Sequence, residues 1–154
     1  MNILLVEDNP GDLRLMREAL AATAAADTVL HAVNSGSAAL DVLRRAGPHA
    51  VAPVPDLVLL DLNLPGLHGM AVLAEIKRDP ALLTTPVVVF TSSEASSDVL
   101  QAYRTHANAY ITKPADFDQF VAAVQAIQTF WRLAARSPRG PGGGAGHGPR
   151  SPSP

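Results

Sequence analysis

Five side chains in this sequence are of the types that handle phosphoryl groups and hard metal ions, and each lies at or just past the end of a short apolar run. Glu7 and Asp8 come directly after Ile3-Leu4-Leu5-Val6, and Asp61 after Leu57-Val58-Leu59-Leu60. Thr91 closes Pro86-Val87-Val88-Val89-Phe90, and Lys113 lies just beyond Ala109-Tyr110-Ile111. Three carboxylates sharing a pocket repel one another unless a cation intervenes. A small all-oxygen ligand set completed by waters suits Mg²⁺, or Mn²⁺ in its place. A carboxylate beside such a metal can attack a phosphoryl group, because the metal neutralises charge on the equatorial oxygens. Lys113 would add a second positive charge, and the Thr91 hydroxyl a hydrogen bond, to the group in transfer. Taken singly, each acid also reads as a solvated loop residue or a helix cap. Only their shared placement favours a common site.

That placement depends on the intervening elements. Asn9 is suited to cap a helix whose first position is Pro10, with Leu13, Met16, Ala19 and Leu20 at helical spacing. Residues 28–33 read as a second strand. Ser35 can cap a helix running to about Ala46, and the proline-containing stretch from Gly47 to Pro55 reads as a loop. Further helices are expected over about Gly69–Arg78 and Ala95–His106. A last one starts near Asp116, with Phe117, Phe120, Val121, Val124, Ile127 and Trp131 along one stripe. Three strands are apolar without alternation, as when helices cover both faces of a parallel sheet. Five β-α units in succession predict an α/β, doubly wound, five-stranded parallel sheet in the flavodoxin-like order 2-1-3-4-5. Ligands bind beyond the carboxyl ends of such strands. The order makes the first and third strands neighbours, so Glu7, Asp8 and Asp61 should converge, with Thr91 and Lys113 approaching from the other side. Asp61, at the end of the central strand, is the expected nucleophile.

Composition removes several other classes. The chain has 154 residues and a formal net charge of −2. Its last 19 residues, 136–154, carry Arg136, Arg139 and Arg150 and no acid, which leaves 9 basic against 14 acidic side chains in residues 1–135. An acidic body with a short basic tail is a poor partner for a phosphate backbone, so nucleic-acid binding is not expected. With no cysteine, disulfides and thiolate chemistry are excluded, and the five histidines show no metal-ligand spacing. Neither a signal peptide nor a membrane span is apparent, which makes a cytoplasmic protein the expectation. The 136–154 segment holds six of the 11 glycines and five of the 13 prolines, so it is expected to be a disordered tail after a 1–135 domain.

The motifs together resemble the response-regulator receiver domain of two-component signalling. The resemblance is carried by Leu5-Val6-Glu7-Asp8-Asn9, Asp56-Leu57-Val58-Leu59-Leu60-Asp61-Leu62-Asn63-Leu64-Pro65-Gly66, Val88-Val89-Phe90-Thr91-Ser92 and Tyr110-Ile111-Thr112-Lys113-Pro114, and spans about residues 2–133. It implies that Asp61 accepts a phosphoryl group from a sensor histidine kinase. Mg²⁺ would be held by the Asp8 and Asp61 side chains, the Asn63 carbonyl and, through water, Glu7. Thr91 and Lys113 would contact the phosphoryl group, and Tyr110 would be a switch residue that turns inward as Thr91 moves. The family usually has a cis peptide at Lys113-Pro114. A narrower similarity, in Glu7 to Asp12, the long loop before the third strand, Asn108 to Pro114 and Phe130-Trp131, points to single-domain regulators paired with bacterial phytochrome kinases. His68 replaces an acid common at that position, where a negative charge would favour the following helix.

No DNA-binding or enzymatic output module is expected after the last helix, so signalling should use the receiver's own face around the fourth helix, fifth strand and last helix. Phe130 and Trp131 are adjacent and cannot easily both point inward, which suggests homodimerisation through the last helix; Trp131 packing over the first helix is the competing reading. Two other functions fit the residues less well. A Mg²⁺-dependent phosphohydrolase of the dehalogenase type would need an acid two residues after Asp61, where this chain has Asn63. A pseudo-receiver that binds partners without phosphorylation would not need the complete set of five.

Overall fold

The computed structural model describes residues 1–23 and 27–134. The expected tail, 136–154, lies outside them. Strands β1 (Asn2–Val6), β2 (Val29–Val33), β3 (Leu57–Leu60), β4 (Val87–Thr91) and β5 (Ala109–Thr112) alternate with helices α1 (Pro10–Ala21), α2 (Gly36–Arg44), α3 (Gly69–Arg78), α4 (Ser96–Arg104) and α5 (Phe117–Thr129). The five strands form one parallel sheet in the order β2-β1-β3-β4-β5, as the pattern of β-α units predicted.

Successive residues of a strand face opposite sides of the sheet, so the uninterrupted apolar strands feed two cores. Leu4, Val6, Val58, Leu60, Val87 and Val89 pack with Leu40 and Leu43 of α2, Leu73 and Ile76 of α3 and Ala102 of α4. Ile3, Leu5, Leu57, Leu59, Val88 and Phe90 pack with Met16 and Ala19 of α1 and with Phe120, Val124 and Ile127 of α5. Phe90 and Phe120 meet edge-to-face at 5.4 Å between ring centroids. The edge strands β2 and β5 are only partly covered. On β5 the Tyr110 N–H donates to the Tyr103 hydroxyl of α4 at 3.2 Å.

Local chemistry sets most helix starts. Asn9 Oδ1 accepts from the Gly11 and Asp12 N–H groups, Ser35 Oγ from Ala38, and Asp116 Oδ2 from Gln119. His68 is also a cap: its Nδ1 accepts from the Met70 N–H at 3.2 Å. The histidine thus caps α3 in place of the acid common at that position.

The structure departs from the sequence expectations at four points. Helix α2 stops at Arg44, because Arg45 turns left-handed (φ 54°) and the Ala46 N–H closes back on the Asp41 carbonyl. The 47–55 loop contains a short 3₁₀ turn, Gly47–His49. Phe117, expected on the buried stripe, is exposed, because it lies in the first turn of α5, ahead of the residues that meet the sheet. The Lys113-Pro114 peptide is trans, since no cis bond occurs among the described residues. Trans is the intrinsically favoured form by about 0.5–1 kcal/mol, and the Lys113 N–H is held by the Thr91 carbonyl at 2.7 Å.

After α5 the chain continues as a π-helical turn, Phe130–Ala134. Trp131 is half-buried against the α1/α5 core, while Phe130 is 53% exposed and meets the Trp131 ring edge-on at 4.7 Å.

Candidate phosphoryl-acceptor and metal site

The strand register delivers the acids to one edge. Val6 pairs with Leu60, so Glu7 and Asp61 leave neighbouring strands at the same level. The ladder runs one residue further on each side. The Glu7 N–H donates to the Val33 carbonyl at 3.0 Å and the Asp61 N–H to the Val6 carbonyl at 3.1 Å. Both carboxylates are therefore fixed by backbone before their side chains make any contact.

Each of the two buried acids then divides its oxygens in the same way. Glu7 Oε1 accepts from the Asn9 N–H at 3.0 Å and Oε2 from Lys113 Nζ at 2.5 Å. Asp61 Oδ1 accepts from the Asn63 N–H at 3.2 Å and Oδ2 from Lys113 Nζ at 3.0 Å. Asp8 is exposed, and one carboxylate oxygen from each of Glu7, Asp8 and Asp61 falls within 4.8 Å of the others. That spacing and all-oxygen chemistry fit a hard divalent cation. Asn63 is exposed at the mouth of the same turn.

Lys113 is the counter-charge. Its side chain is 7% exposed. Burial alone would lower its pKa, but hydrogen bonds to Asp12, Glu7 and Asp61 outweigh that and raise it above the ordinary lysine value, so the ammonium stays charged. For Glu7 the balance runs differently. Burial pushes its carboxyl up, and the neighbouring Asp61 charge adds to this, while the Lys113 bond pulls it down.

Thr91 is fully buried at the end of β4, with its Oγ1 facing the Ser93 N–H at 3.5 Å. Tyr110, on β5, is half-buried against the α2/α3/α4 core, and its hydroxyl donates to the Ser93 carbonyl at 2.8 Å. Ser93 Oγ in turn donates to Asp98 at 2.5 Å, in the first turn of α4. A continuous set of bonds thus joins Thr91, the β4–α4 loop and Tyr110.

Sequence reasoning missed two members of this arrangement. Asp12 Oδ2 accepts from Lys113 Nζ at 2.8 Å. A helix starting at Pro10 places its first turn back over the acidic edge, which was the available signal. Ser93 has no signal of its own, being one of two adjacent serines.

Comparison with known proteins shows the family. Residues 3–125 match the family model of the response regulator receiver domain. The chain belongs to that family. It is 44% identical to the response regulator Rcp1 of Synechocystis sp. over 129 residues, 84% of this chain and 87% of Rcp1. Among solved structures, the phosphorylated cyanobacterial phytochrome response regulator RcpA superposes with a TM-score of 0.84 at 45% identity, covering 89% of this chain and 97% of RcpA. The Mn²⁺-bound form of Rcp1 gives 0.82 at 42% identity, covering 89% of this chain and 98% of that one. This receiver is therefore related to phytochrome response regulators and carries an acidic cluster of the kind that holds a divalent metal. No described helix is long and apolar enough to cross a membrane.

Proposed function

We propose that this protein is a stand-alone response regulator whose Asp61 accepts a phosphoryl group from a sensor histidine kinase of the phytochrome type. The observation that carries the reading is the three-way contact of Lys113 Nζ with Glu7, Asp12 and Asp61 beside the Glu7-Asp8-Asp61 cluster. Mg²⁺ bound to Asp8, Asp61 and the Asn63 carbonyl, with Glu7 acting through water, would neutralise charge on the transferred group. Asp61 attacks phosphorus as the bond from phosphorus to the donor nitrogen breaks, giving an acyl phosphate. Lys113 keeps an ammonium at the oxygens of the incoming group, and the Thr91 hydroxyl donates to one of them. Incubation with acetyl phosphate and Mg²⁺ should add one phosphoryl group by intact mass. An adduct that persists in Asp61→Asn would sink the assignment.

Signal output follows from the Thr91–Ser93–Tyr110 connection. Drawing the Thr91 hydroxyl toward the phosphoryl group pulls on the β4–α4 loop, to which Tyr110 is bonded, and changes the face made by α4, β5 and α5. Homodimerisation through α5 and the following turn is part of the same proposal, supported by the exposure of Phe130 and Leu133 next to the half-buried Trp131. Under this reading the protein works in the cytoplasm, without nucleic acid or membrane as partner.

A further inference from the structure

Asp12 differs from the other acids around Lys113. Its carboxylate accepts from the ammonium at 2.8 Å, yet it lies outside the group of Glu7, Asp8 and Asp61 oxygens that come within 4.8 Å of one another. The ammonium therefore stands between two sets of anions, Glu7 and Asp61 on the metal side and Asp12 on the α1 side. Asp12 is fixed where it is by its own N–H bond to Asn9 Oδ1 at 3.1 Å. Its side chain is 32% exposed against 7% for Lys113, so Asp12 is the acid through which the buried ammonium meets solvent.

We propose that Asp12 is a positioning residue that competes with phosphorylated Asp61 for the Lys113 ammonium and so limits how tightly the site holds a phosphoryl group. This rests on the receiver reading above. The reason is charge. A divalent cation at Glu7, Asp8 and Asp61 takes over the balance that Lys113 supplies to those acids, while Asp12, outside that set, keeps its hold on the ammonium. A phosphoryl group on Asp61 must then draw Lys113 away from an anion in direct contact with it. Asp12 also adds negative charge near the cation, which strengthens metal binding. Its two effects on the site have opposite signs.

Asp12→Asn keeps the side-chain shape and removes the charge. In calorimetric titrations of the full chain, Mg²⁺ should bind this variant about threefold to tenfold more weakly. Fluoroberyllate, added at saturating Mg²⁺, should bind it about threefold to tenfold more tightly. Damage to the fold would weaken both, so the opposed changes separate a positioning role from a structural one. Asp12→Glu, which restores the charge, should return both constants toward those of the wild type. Fluoroberyllate binding that is unchanged or weaker in Asp12→Asn, with wild-type binding intact, overturns this proposal alone. A wild-type protein that binds no fluoroberyllate overturns the receiver reading and this proposal together.

Discussion

The carbonyl oxygen of Asp61 occupies the space that a side chain on Gly69 would need. A Cβ there would also press on the Leu62 backbone, and the Gly69 N–H already donates to the Leu62 carbonyl at 3.0 Å. The start of α3 is thus seated against the turn that follows β3, and the position of Asp61 depends on a residue eight places away. Gly69→Ala is expected to destabilise the fold by about 3 kcal/mol, because the obstruction is backbone that cannot rotate aside. Urea denaturation measures the loss, and acetyl phosphate labelling of the folded fraction should also slow. Wild-type stability in the alanine variant would show that the turn yields freely.

Removing the counter-charge tests the acidic edge directly. In Lys113→Met, Glu7 and Asp61 remain buried beside Asp12 with no cation, and the metal-free protein should lose about 3–5 kcal/mol. Added Mg²⁺ should then restore stability by a larger increment than in the wild type, since it no longer competes with an ammonium for the same oxygens. Thermal melts across a Mg²⁺ series would reveal this. Equal Mg²⁺ increments in the two proteins would contradict it.

Tyr110 gives a pH dependence. Burial raises its phenol pKa above the ordinary 10.0, with the Asp98 and Asp61 charges adding in the same direction. A group whose folded pKa is raised contributes stability that is fully present below the unfolded value and is lost as pH rises through the folded one. The wild type should therefore lose stability above pH 10 relative to Tyr110→Phe, with no such divergence at pH 8. Chemical denaturation at both pH values decides the matter.

Adjacent Phe130 and Trp131 should behave differently on substitution. Phe130 is more than half exposed, so Phe130→Ser should change stability by less than about 0.5 kcal/mol while shifting a dimer toward monomer in sedimentation. Trp131→Ala should cost about 2 kcal/mol through lost packing on the α1/α5 core. A wild-type protein that sediments as a monomer, with and without fluoroberyllate, removes the dimer from the proposal.

The cap at α3 yields a smaller, directional effect. His68→Ala should cost about 0.5–2 kcal/mol, whereas His68→Asp should be neutral or stabilising by about 0.3–1 kcal/mol, since it adds a negative charge at a helix N-terminus. Denaturation at neutral pH and low salt would resolve the order of the three proteins.

What could be read from the sequence was local or periodic. The unbroken apolar runs of β1, β3 and β4 required a two-sided parallel sheet, and Asn9, Ser35 and Asp116 announced their helices through side-chain oxygens. Because strand order fixes which strand ends are neighbours, the meeting of Glu7, Asp8, Asp61 and Lys113 followed as well. The parts that did not follow depend on tertiary placement. Asp12 reaches Lys113 across 101 residues of sequence. Arg45 adopts a left-handed conformation that its residue type does not favour, so Gly47 and Pro48 marked the end of α2 only to within about two residues. Phe117 continued the apolar periodicity of α5, but periodicity does not report how far along a helix the sheet extends.

The Tyr103 hydroxyl, which α4 holds against β5, bears on how this protein behaves when crowded. A terminal strand offers its outward N–H and C=O groups to any extended segment that drifts alongside, and sheet growth between molecules begins there. With the Tyr110 N–H already engaged by a side chain from α4, an incoming strand would have to displace that phenol before forming its first rung. Tyr103→Phe leaves the ring in place and reopens the rung, making the sheet's outer margin more receptive to strand-on-strand association.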